Sequence, residues 1–253
     1  MEEGRLTDLY FDEIIKIIEE IRKTEREQIL KAARMVADQV KQDKKVFVFG
    51  PGGHSNLAAM EVFFRAGGLM HIDAVLNQET MLNSGALKSM QVERLPGYGR
   101  IVMEDYGIGE GDLLWIVNAY GINSATIDAA LTAKERGARV IGVSSREHAE
   151  TCPGDHVARH PSKKNLHEIV DCAVDCKVKL GDATLEIQGF PQKTGALSTY
   201  ANAYVMNCIV VEAINMMVNE GINPPVWRSG NCPGGDEWNS QFIDRFKDRI
   251  RCL

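Results

Sequence analysis

The first forty residues carry apolar side chains at the spacing of an amphipathic helix. Apolar residues recur every three or four positions from Leu9 to Val36, and charged residues fill most of the other positions. This 3.6-residue period predicts helix, and residues 7–42 contain no proline or glycine. The apolar stripe is interrupted near residues 23–26, so two consecutive helices are predicted. We expect them to pack on the rest of the chain or to form a dimerisation arm, and the two roles are compatible.

From residue 44 the pattern changes to short apolar runs that alternate with amphipathic stretches. Strands are predicted at the apolar runs, which are residues 46–49, 71–76, 112–117, 139–143 and 169–174. Helices are predicted at residues 55–66, 124–136, 198–219 and 239–251. Continuous apolar strands alternating with helices are typical of a parallel sheet covered on both faces. The predicted fold class is therefore α/β, with a three-layer, doubly wound, mostly parallel sheet.

Three segments depart from this alternation. Residues 77–99 and 151–167 are long and of mixed polarity, and residues 227–238 are irregular and rich in glycine. Loops of this length in a compact domain are usually functional or disordered. No linker composition divides the chain. The predicted organisation is a helical extension at residues 1–43, packed on the core or on a dimer partner, and one domain at residues 44–253.

Composition and charge limit the partners of this chain. Its 253 residues carry a net charge of −6, whereas a nucleic-acid-binding surface is normally basic, so no nucleic-acid partner is expected. The most apolar long run, residues 203–218, includes Asn207, Glu212 and Asn215. It is predicted to be a buried helix, and no membrane partner is expected. The six cysteines form no C-x-x-C pair and no secretion signal is apparent, so reduced thiols and a cytoplasmic location are expected.

Candidate chemistry lies at three glycine-containing junctions that lead into helices, at residues 50–56, 118–124 and 194–199. Ligands of open α/β sheets bind beyond the carboxyl ends of the strands, and free amides at helix N-termini attract anions. One such turn is more often only a turn, but three together predict an anion-binding pocket. Its predicted binding residues are Gly52, Gly53, Ser55, Asn118, Asn123, Ser124, Ser198 and Thr199.

The first junction does not match the known nucleotide-binding motifs. It lacks the third glycine and the later acidic residue of a dinucleotide-binding fingerprint, and no Lys-Ser/Thr pair follows it. A nucleotide is therefore unsupported, and no cofactor is predicted.

Motifs spread over nearly the whole chain make it resemble a sugar isomerase (SIS) domain. They are His54-Ser55, Phe64-Arg65-Ala66-Gly67-Gly68, Gly85-Ala86-Leu87-Lys88-Ser89, Glu93-Arg94-Leu95, Ala133-Lys134-Glu135-Arg136-Gly137-Ala138, Arg159-His160-Pro161-Ser162, Gly181-Asp182-Ala183 and Gly234-Gly235-Asp236-Glu237. The likeness is strongest to the bacterial phosphosugar and phosphoheptose isomerase-like group. It implies a flavodoxin-like SIS fold, a homodimer or higher homo-oligomer, and a sugar-phosphate site at the strand ends, often near a subunit interface.

One loop departs from the pattern of that family. SIS domains usually carry a Ser-x-Ser-Gly-x-Thr/Ser loop whose hydroxyls hold the phosphate, whereas residues 118–123 read Asn-Ala-Tyr-Gly-Ile-Asn. Tyr120 precedes the glycine, and Asn123 or Ser124 would have to substitute for the missing serines. The altered loop therefore leaves open a changed anion or a non-phosphorylated sugar in place of the usual sugar phosphate.

Three residues are candidates for catalysis. Isomerisation moves a proton through an enediol, which suits a carboxylate or an imidazole. Glu61 is the predicted base, with a pairing to Arg65 one turn on as the alternative. His54 is predicted to assist ring opening or, alternatively, to pack in its loop. Glu237 would close over a site, or else lie with Asp236 at a turn and helix cap.

The three loops that open helices, together with the SIS resemblance, imply an aldose–ketose isomerase that acts on a sugar phosphate or a related anionic sugar. A metal site is not predicted, because the final helix has no histidine to complete the set used by the metal-dependent heptose isomerases. The alternative is a non-catalytic sugar-phosphate sensor, although the N-terminal helices show no basic recognition helix. A lyase or etherase on the same fold, using the same carboxylate for elimination, is a third hypothesis.

Overall fold

Five short apolar runs form a parallel sheet at the centre of the protein. The computed structural model describes residues 4–253, and the strand order is β2-β1-β3-β4-β5. The strands of the sheet are β1 (Val46–Phe49), β2 (Ile72–Ala74), β3 (Leu113–Val117), β4 (Arg139–Ser144) and β5 (Cys172–Asp175). A separate antiparallel hairpin consists of β6 (Ala183–Leu185) and β7 (Thr194–Ala196). The predicted α/β class with a doubly wound parallel sheet is confirmed.

Ten α-helices surround these strands in the described part of the chain. They are α1 (Arg5–Thr24), α2 (Arg26–Lys41), α3 (Ser55–Val62), α4 (Ala86–Glu93), α5 (Tyr98–Asp105), α6 (Ser124–Glu135), α7 (Arg146–Thr151), α8 (Leu166–Ile169), α9 (Ser198–Asn219) and α10 (Gly235–Phe246). Short 3₁₀ turns at Gln78–Thr80 and Leu82–Ser84 precede α4.

Both faces of the sheet are buried because successive strand residues point to opposite sides. Val46 and Val48 lie in the cluster that packs against α1, α2 and α9. Phe47 and Phe49 lie in the cluster on the other face, against α5 and α6. This two-sided burial is the reason that the strands are uninterrupted apolar runs in the sequence.

The strand order fixes the position of the ligand crevice. β1 pairs with β2 on one side and with β3 on the other, so the direction of chain winding reverses between β1 and β3. Val46 lies opposite Leu113 and Phe49 opposite Ile116, so both strands end at the same level. In open α/β sheets this reversal point is where ligands bind.

The long apolar helix α9 is a core element. By length and composition it is the one helix within residues 4–253 that could cross a membrane. Its side chains Ala201, Val205 and Ile209 are fully buried in the same cluster as Val46 and Val48. The helix also contacts α1, α2 and α3. This packing agrees with the buried helix predicted for residues 203–218.

The two N-terminal helices share the core of the main domain. The break between them is at Glu25, as the interrupted stripe predicts, and Ala32, Ala33 and Val36 of α2 are fully buried in the cluster that contains α9. The predicted boundary between the helical extension and the main domain, at residue 43, stays a prediction. Buried residues on both sides of it belong to one cluster. Residues 1–3 of the predicted extension lie outside the described residues.

Four boundaries differ from the sequence prediction. Helix α3 ends at Val62 because Phe63 is extended and Phe64 is left-handed, with φ of 48°. The fifth strand was predicted to begin at residue 169, but Ile169 ends the short helix α8, which Asn165 and Glu168 cap reciprocally. Strand β5 begins at Cys172. Helix α10 starts at Gly235, four residues early, and residues 77–99 contain α4 and the start of α5 where an irregular loop was predicted.

Candidate functional site

A pocket of about 180 Å³ lies at the carboxyl ends of β1 and β3. It is lined by Gly52, Gly53, His54, Ser55, Glu93, Asn118, Ala119, Tyr120, Asn123, Asp182, Ser198 and Asn202. The three glycine-containing junctions therefore converge on one cavity. Seven of the predicted residues line it, and they are joined by four polar side chains that were not predicted, Glu93, Tyr120, Asp182 and Asn202.

Asn118 joins the first two junctions. Its Nδ2 donates to the carbonyl oxygen of Pro51 at 2.9 Å and lies 3.4 Å from Ser55 Oγ. Its Oδ1 accepts from the amides of Tyr120 and Gly121. Since Ser55 accepts this bond, its hydroxyl proton remains available to a ligand. The side chain of Asn118 thus fixes the two loops relative to each other.

Glu93, at the end of α4, places a carboxyl group against the glycine turn. A Cβ built on Gly52 would lie 2.0 Å from Glu93 Oε2, so only glycine leaves room for it. Asn123 Nδ2, at the start of α6, is 3.4 Å from Glu93 Oε1. Burial raises the pKa of Glu93 to about 7, and the charge of Arg94 opposes this only in part. Its carboxyl group can therefore gain and lose a proton near neutral pH.

Tyr120 forms an aromatic wall of the pocket. Its ring stacks on His148 with centroids 3.9 Å apart and planes inclined by 16°. Burial, together with the nearby Arg159 and His156, lowers the pKa of His148 to about 4, so the imidazole is neutral at pH 7. Burial also raises the pKa of Tyr120, and Asp182 and Glu93 add to this effect. The phenol therefore stays protonated and can donate a hydrogen bond.

The third junction is occupied by a carboxylate of the protein itself. Asp182 accepts hydrogen bonds from the amides of Leu197 and Ser198 and from the Ser198 hydroxyl. The strand before this junction, β7, belongs to the hairpin and not to the parallel sheet. The third junction therefore leads into a helix as predicted, but it does not follow a strand of the parallel sheet.

Four predicted residues lie away from the pocket lining. Glu61 is on α3, where its Oε1 accepts from Asn207 Nδ2 at 3.1 Å and lies 3.4 Å from Arg65 Nε. Glu237 is exposed in the first turn of α10, and Thr199 is exposed at the start of α9. Ser124 is buried in the first turn of α6, and its Oγ has no hydrogen-bond partner within residues 4–253.

His54 lies at the pocket rim as the N-cap residue of α3. Its side chain is exposed, which leaves it able to reach a ligand. Over the described residues, no three His, Cys, Asp or Glu side chains converge in a way that could hold a metal ion.

Glu93 is the functional candidate that the sequence prediction missed. Its segment was expected to be an irregular loop, and its carboxylate reaches the pocket because α4 and α6 pack together. The signals present in the sequence were the unusual length of that loop and a carboxylate within it.

Comparison with known proteins identifies the family of the chain. Residues 9–145 match the SIS domain. The chain belongs to the SIS-domain family. This SIS protein is also 37% identical over 251 residues to a UPF0309 protein of Caldanaerobacter subterraneus, covering 98% of this chain and 100% of the relative. It is 35% identical over 244 residues to a UPF0309 protein of Brucella canis, covering 96% and 97% of the two chains.

Solved structures share the fold of this SIS domain at low sequence identity. The phosphoheptose isomerase of Neisseria gonorrhoeae matches with a TM-score of 0.57 and 17% identity, over 84% of this chain and 98% of that one. The NanR protein of Vibrio vulnificus, complexed with ManNAc-6P, matches with a TM-score of 0.52 and 13% identity, over 96% of this chain and 70% of that one. The SIS fold thus occurs in an isomerase and in a protein bound to a sugar phosphate.

Proposed function

We propose that this SIS protein is an aldose–ketose isomerase acting on a sugar phosphate or a closely related anionic sugar. The observation that carries the proposal is the carboxyl group of Glu93, which faces the pocket with a pKa of about 7. A group that exchanges its proton near the working pH suits proton transfer in both directions. The neighbouring glycine turn supplies amides for an anion.

In this mechanism the Glu93 carboxylate removes the proton from the carbon next to the substrate carbonyl. The electron pair of that C–H bond forms the C1–C2 double bond, and the π electrons of the carbonyl move to its oxygen, which gives an enediolate. The proton of the neighbouring hydroxyl group passes to that oxygen within the enediolate. The same carboxyl group then returns its proton to the former carbonyl carbon, and the second oxygen becomes the new carbonyl. No atom is gained or lost. The Tyr120 hydroxyl is suited to donate a hydrogen bond to the developing oxygen charge.

The anion is held on the α3 side of the pocket. The amides of residues 53–55, which have no acceptor among the described residues, and the Ser55 hydroxyl are the donors proposed for it. Asn118 holds the two loops together. His54 at the rim would assist ring opening. In this proposal Glu93 replaces Glu61 as the base, because Glu61 is outside the pocket and paired with Asn207 and Arg65.

The test compares two conservative variants at the two candidate carboxylates. The protein is incubated with a panel of aldose and ketose phosphates in deuterated water, and exchange at C1 and C2 is followed by NMR. We expect Glu93→Gln to lose at least about 100-fold in turnover, whereas Glu61→Gln keeps it. If Glu61→Gln were inactive and Glu93→Gln active, the assignment of the base would be wrong.

A second candidate function is sugar-phosphate sensing without turnover. The NanR structure is of a SIS-fold protein complexed with ManNAc-6P, which favours this alternative over other non-enzymatic functions. The same experiment separates the two. Saturable binding of a sugar phosphate, with no deuterium at C1 or C2 of any substrate, would replace the isomerase by a sensor.

A further inference from the structure

The N-terminus of α9 faces the pocket but is already filled. Asp182 accepts from the amides of Leu197 at 2.9 Å and Ser198 at 2.8 Å, and from Ser198 Oγ at 2.6 Å. These are the groups that would otherwise hold an anion at this helix end. A carboxylate of the protein thus stands where a phosphate oxygen would bind.

The backbone at Asp182 holds this carboxylate in position. Its φ is 65°, in the left-handed region that asparagine and aspartate tolerate better than most residues. Its amide donates to the carbonyl oxygen of Lys179 in a turn. The β6–β7 hairpin begins directly after Asp182 and returns to Leu197, so the three hydrogen bonds also close the base of the hairpin.

A second observation shows that this end of α9 is built for a ligand. Asn202 lies one turn beyond Ser198, lines the pocket and is only 2% exposed. Its Oδ1 has no hydrogen-bond partner among the described residues. A buried, unpaired amide oxygen is costly, and a hydroxyl group of a bound sugar would satisfy it.

The charges of the side chains that line the pocket make Asp182 relevant to ligand specificity. The described lining contains two carboxyl groups, Glu93 and Asp182, and neither lysine nor arginine. An anion placed at the α9 end would therefore meet a fixed like charge with no basic side chain of the lining to offset it. At the α3 end the nearby carboxyl group is Glu93, which lies against Gly52. It accepts no hydrogen bond from the amides at the start of α3 in the described structure, and burial raises its pKa to about 7, so it is less fully charged at neutral pH than an ordinary carboxylate.

We propose that Asp182 is a specificity-determining residue that closes the α9 end of the pocket to phosphate. The phosphate of the substrate is thereby directed to the α3 glycine turn, and the sugar hydroxyls to the α9 end, next to Asn202 and Asp182. This inference rests on the proposed sugar-phosphate function and adds the orientation of the substrate to it.

The test removes the charge and measures phosphate binding directly. Asp182→Asn keeps an oxygen that accepts from both amides, and asparagine also tolerates a left-handed backbone. Asp182→Gly removes the side chain altogether where φ already suits glycine. We expect both variants to bind inorganic phosphate about tenfold more tightly than the wild type, since a like charge has been removed from a partly buried site. Calorimetry gives the dissociation constant, and ³¹P NMR the number of sites.

Two control variants distinguish the effect of removing the Asp182 charge from the effect of loosening the hairpin. Glu186→Gln removes an exposed carboxylate from the same hairpin, where it pairs with Lys193, and should leave phosphate binding unchanged. Ser198→Ala deletes the 2.6 Å bond to Asp182 but keeps its charge, and should not tighten phosphate binding. The ratio of affinities for a sugar phosphate and for the unphosphorylated sugar should rise in Asp182→Asn, which simple damage to the pocket would not cause.

The inference is overturned if Asp182→Asn and Asp182→Gly fold, as judged by thermal unfolding, and neither binds phosphate more tightly than Glu186→Gln. If only one of them folds, that variant decides. The result is distinct from failure of the proposed function. Loss of turnover in Glu93→Gln with no gain of phosphate binding in the Asp182 variants would keep the isomerase and reject the substrate orientation.

Discussion

At the scale of single residues, the site depends on a glycine and a carboxyl group that share one small volume. Gly52 has a φ of 97°, and the space where its side chain would be is taken by Glu93 Oε2. The sequence pattern predicted that Gly52 binds an anion. The structure adds that its missing side chain is what admits Glu93 to the pocket.

We expect Gly52→Ala to expel Glu93 from the pocket and to lower isomerase turnover at least about tenfold. The matched control is Gly67→Ala, at a φ of 83° with no atom within 4 Å of the new Cβ. Both variants bear the cost of a left-handed alanine, about 1–2 kcal/mol, but only the first has the clash. Equal turnover in the two variants would show that Glu93 does not need its position against Gly52.

The partly buried carboxyl group of Glu93 also makes stability depend on pH. Burial raises the pKa of Glu93 from 4.5 to about 7, so the folded protein retains a proton that the unfolded chain has released. The free energy of unfolding therefore falls as the pH rises from 4.5 to 7, by up to about 3 kcal/mol. Below 4.5 the effect vanishes, since both states are protonated.

Glu93→Gln imitates the protonated acid, so its stability relative to the wild type should change with pH. We expect the two proteins to be similar at pH 4, and the variant to be more stable at pH 8 by up to about 3 kcal/mol. Urea unfolding at both pH values measures this difference. A constant difference from pH 4 to pH 8 would mean that the carboxyl group titrates normally in the folded protein.

The same titration of Glu93 should make turnover rise with pH, whereas it makes stability fall. The proposed base acts as a carboxylate, so kcat/KM should fall about tenfold per pH unit below 7 and level off above it. A pH–rate profile with a substrate from the panel checks this. A fall of kcat/KM that began only below about pH 4.5 would mean that the base is a solvent-exposed carboxylate and not Glu93.

At the scale of elements, the regular parts of the fold were predictable and the parts that complete the site were not. Strand β1 and helix α9 have the bounds that their apolar runs predict, because burial on both faces of a strand leaves a short uninterrupted apolar run and a core helix leaves a long one. Helix α4 has only Ser89 buried, so its sequence carries little periodicity. Its Glu93 reaches the pocket through tertiary packing, which a local pattern does not record.

The β6–β7 hairpin is attached to the domain at its base and by α1. Tyr10 Oη donates to the carbonyl oxygen of Ala196 at 2.6 Å, and a Cβ on Gly195 would lie 3.0 Å from the Tyr10 ring. The glycine therefore lets α1 pack closely on β7. The pocket residue Asp182 precedes this hairpin, so the attachment also steadies the pocket.

Tyr10→Phe should loosen the hairpin while leaving the ring packing in place. We expect trypsin to cleave after the exposed Lys193 several-fold faster, as a lost hydrogen bond of about 1 kcal/mol implies. Mass spectrometry of the early fragments reports the rate. Tyr98→Phe loses a comparable bond, to Asn77 Oδ1 at 3.0 Å, far from the hairpin, and should leave cleavage at Lys193 unchanged.

At the scale of the whole molecule, the outer faces of α3 and α9 carry exposed apolar side chains next to a groove. Leu57 on α3 and Val211 on α9 are 43% and 62% exposed. Beside Val211 lies a groove of about 620 Å³ whose lining includes Arg22, Arg26 and Tyr204. Exposed apolar side chains rimmed by charged residues are found at protein interfaces, and we propose that the homodimer expected from the SIS resemblance forms here.

Val211→Glu should therefore convert the dimer to a monomer, because the interface would have to bury a carboxylate in place of an apolar side chain. Light scattering after size exclusion measures the mass, for which one chain is 28.0 kDa. The control is Val157→Glu, on an exposed valine (74%) elsewhere on the surface. A wild-type mass of one chain would rule out the dimer, and a dimeric Val211→Glu would place its interface elsewhere.

The strand order has a consequence for how the pocket forms during folding. β1 pairs with β3, about 65 positions later in the chain, and the pocket draws residues from position 52 to position 202. Contacts between such distant segments form late, since the chain between them must first be ordered. A ligand of this pocket therefore binds only the complete native state and raises its melting temperature by mass action. A thermal-shift screen of sugar phosphates would identify the substrate class before any assay of turnover is available.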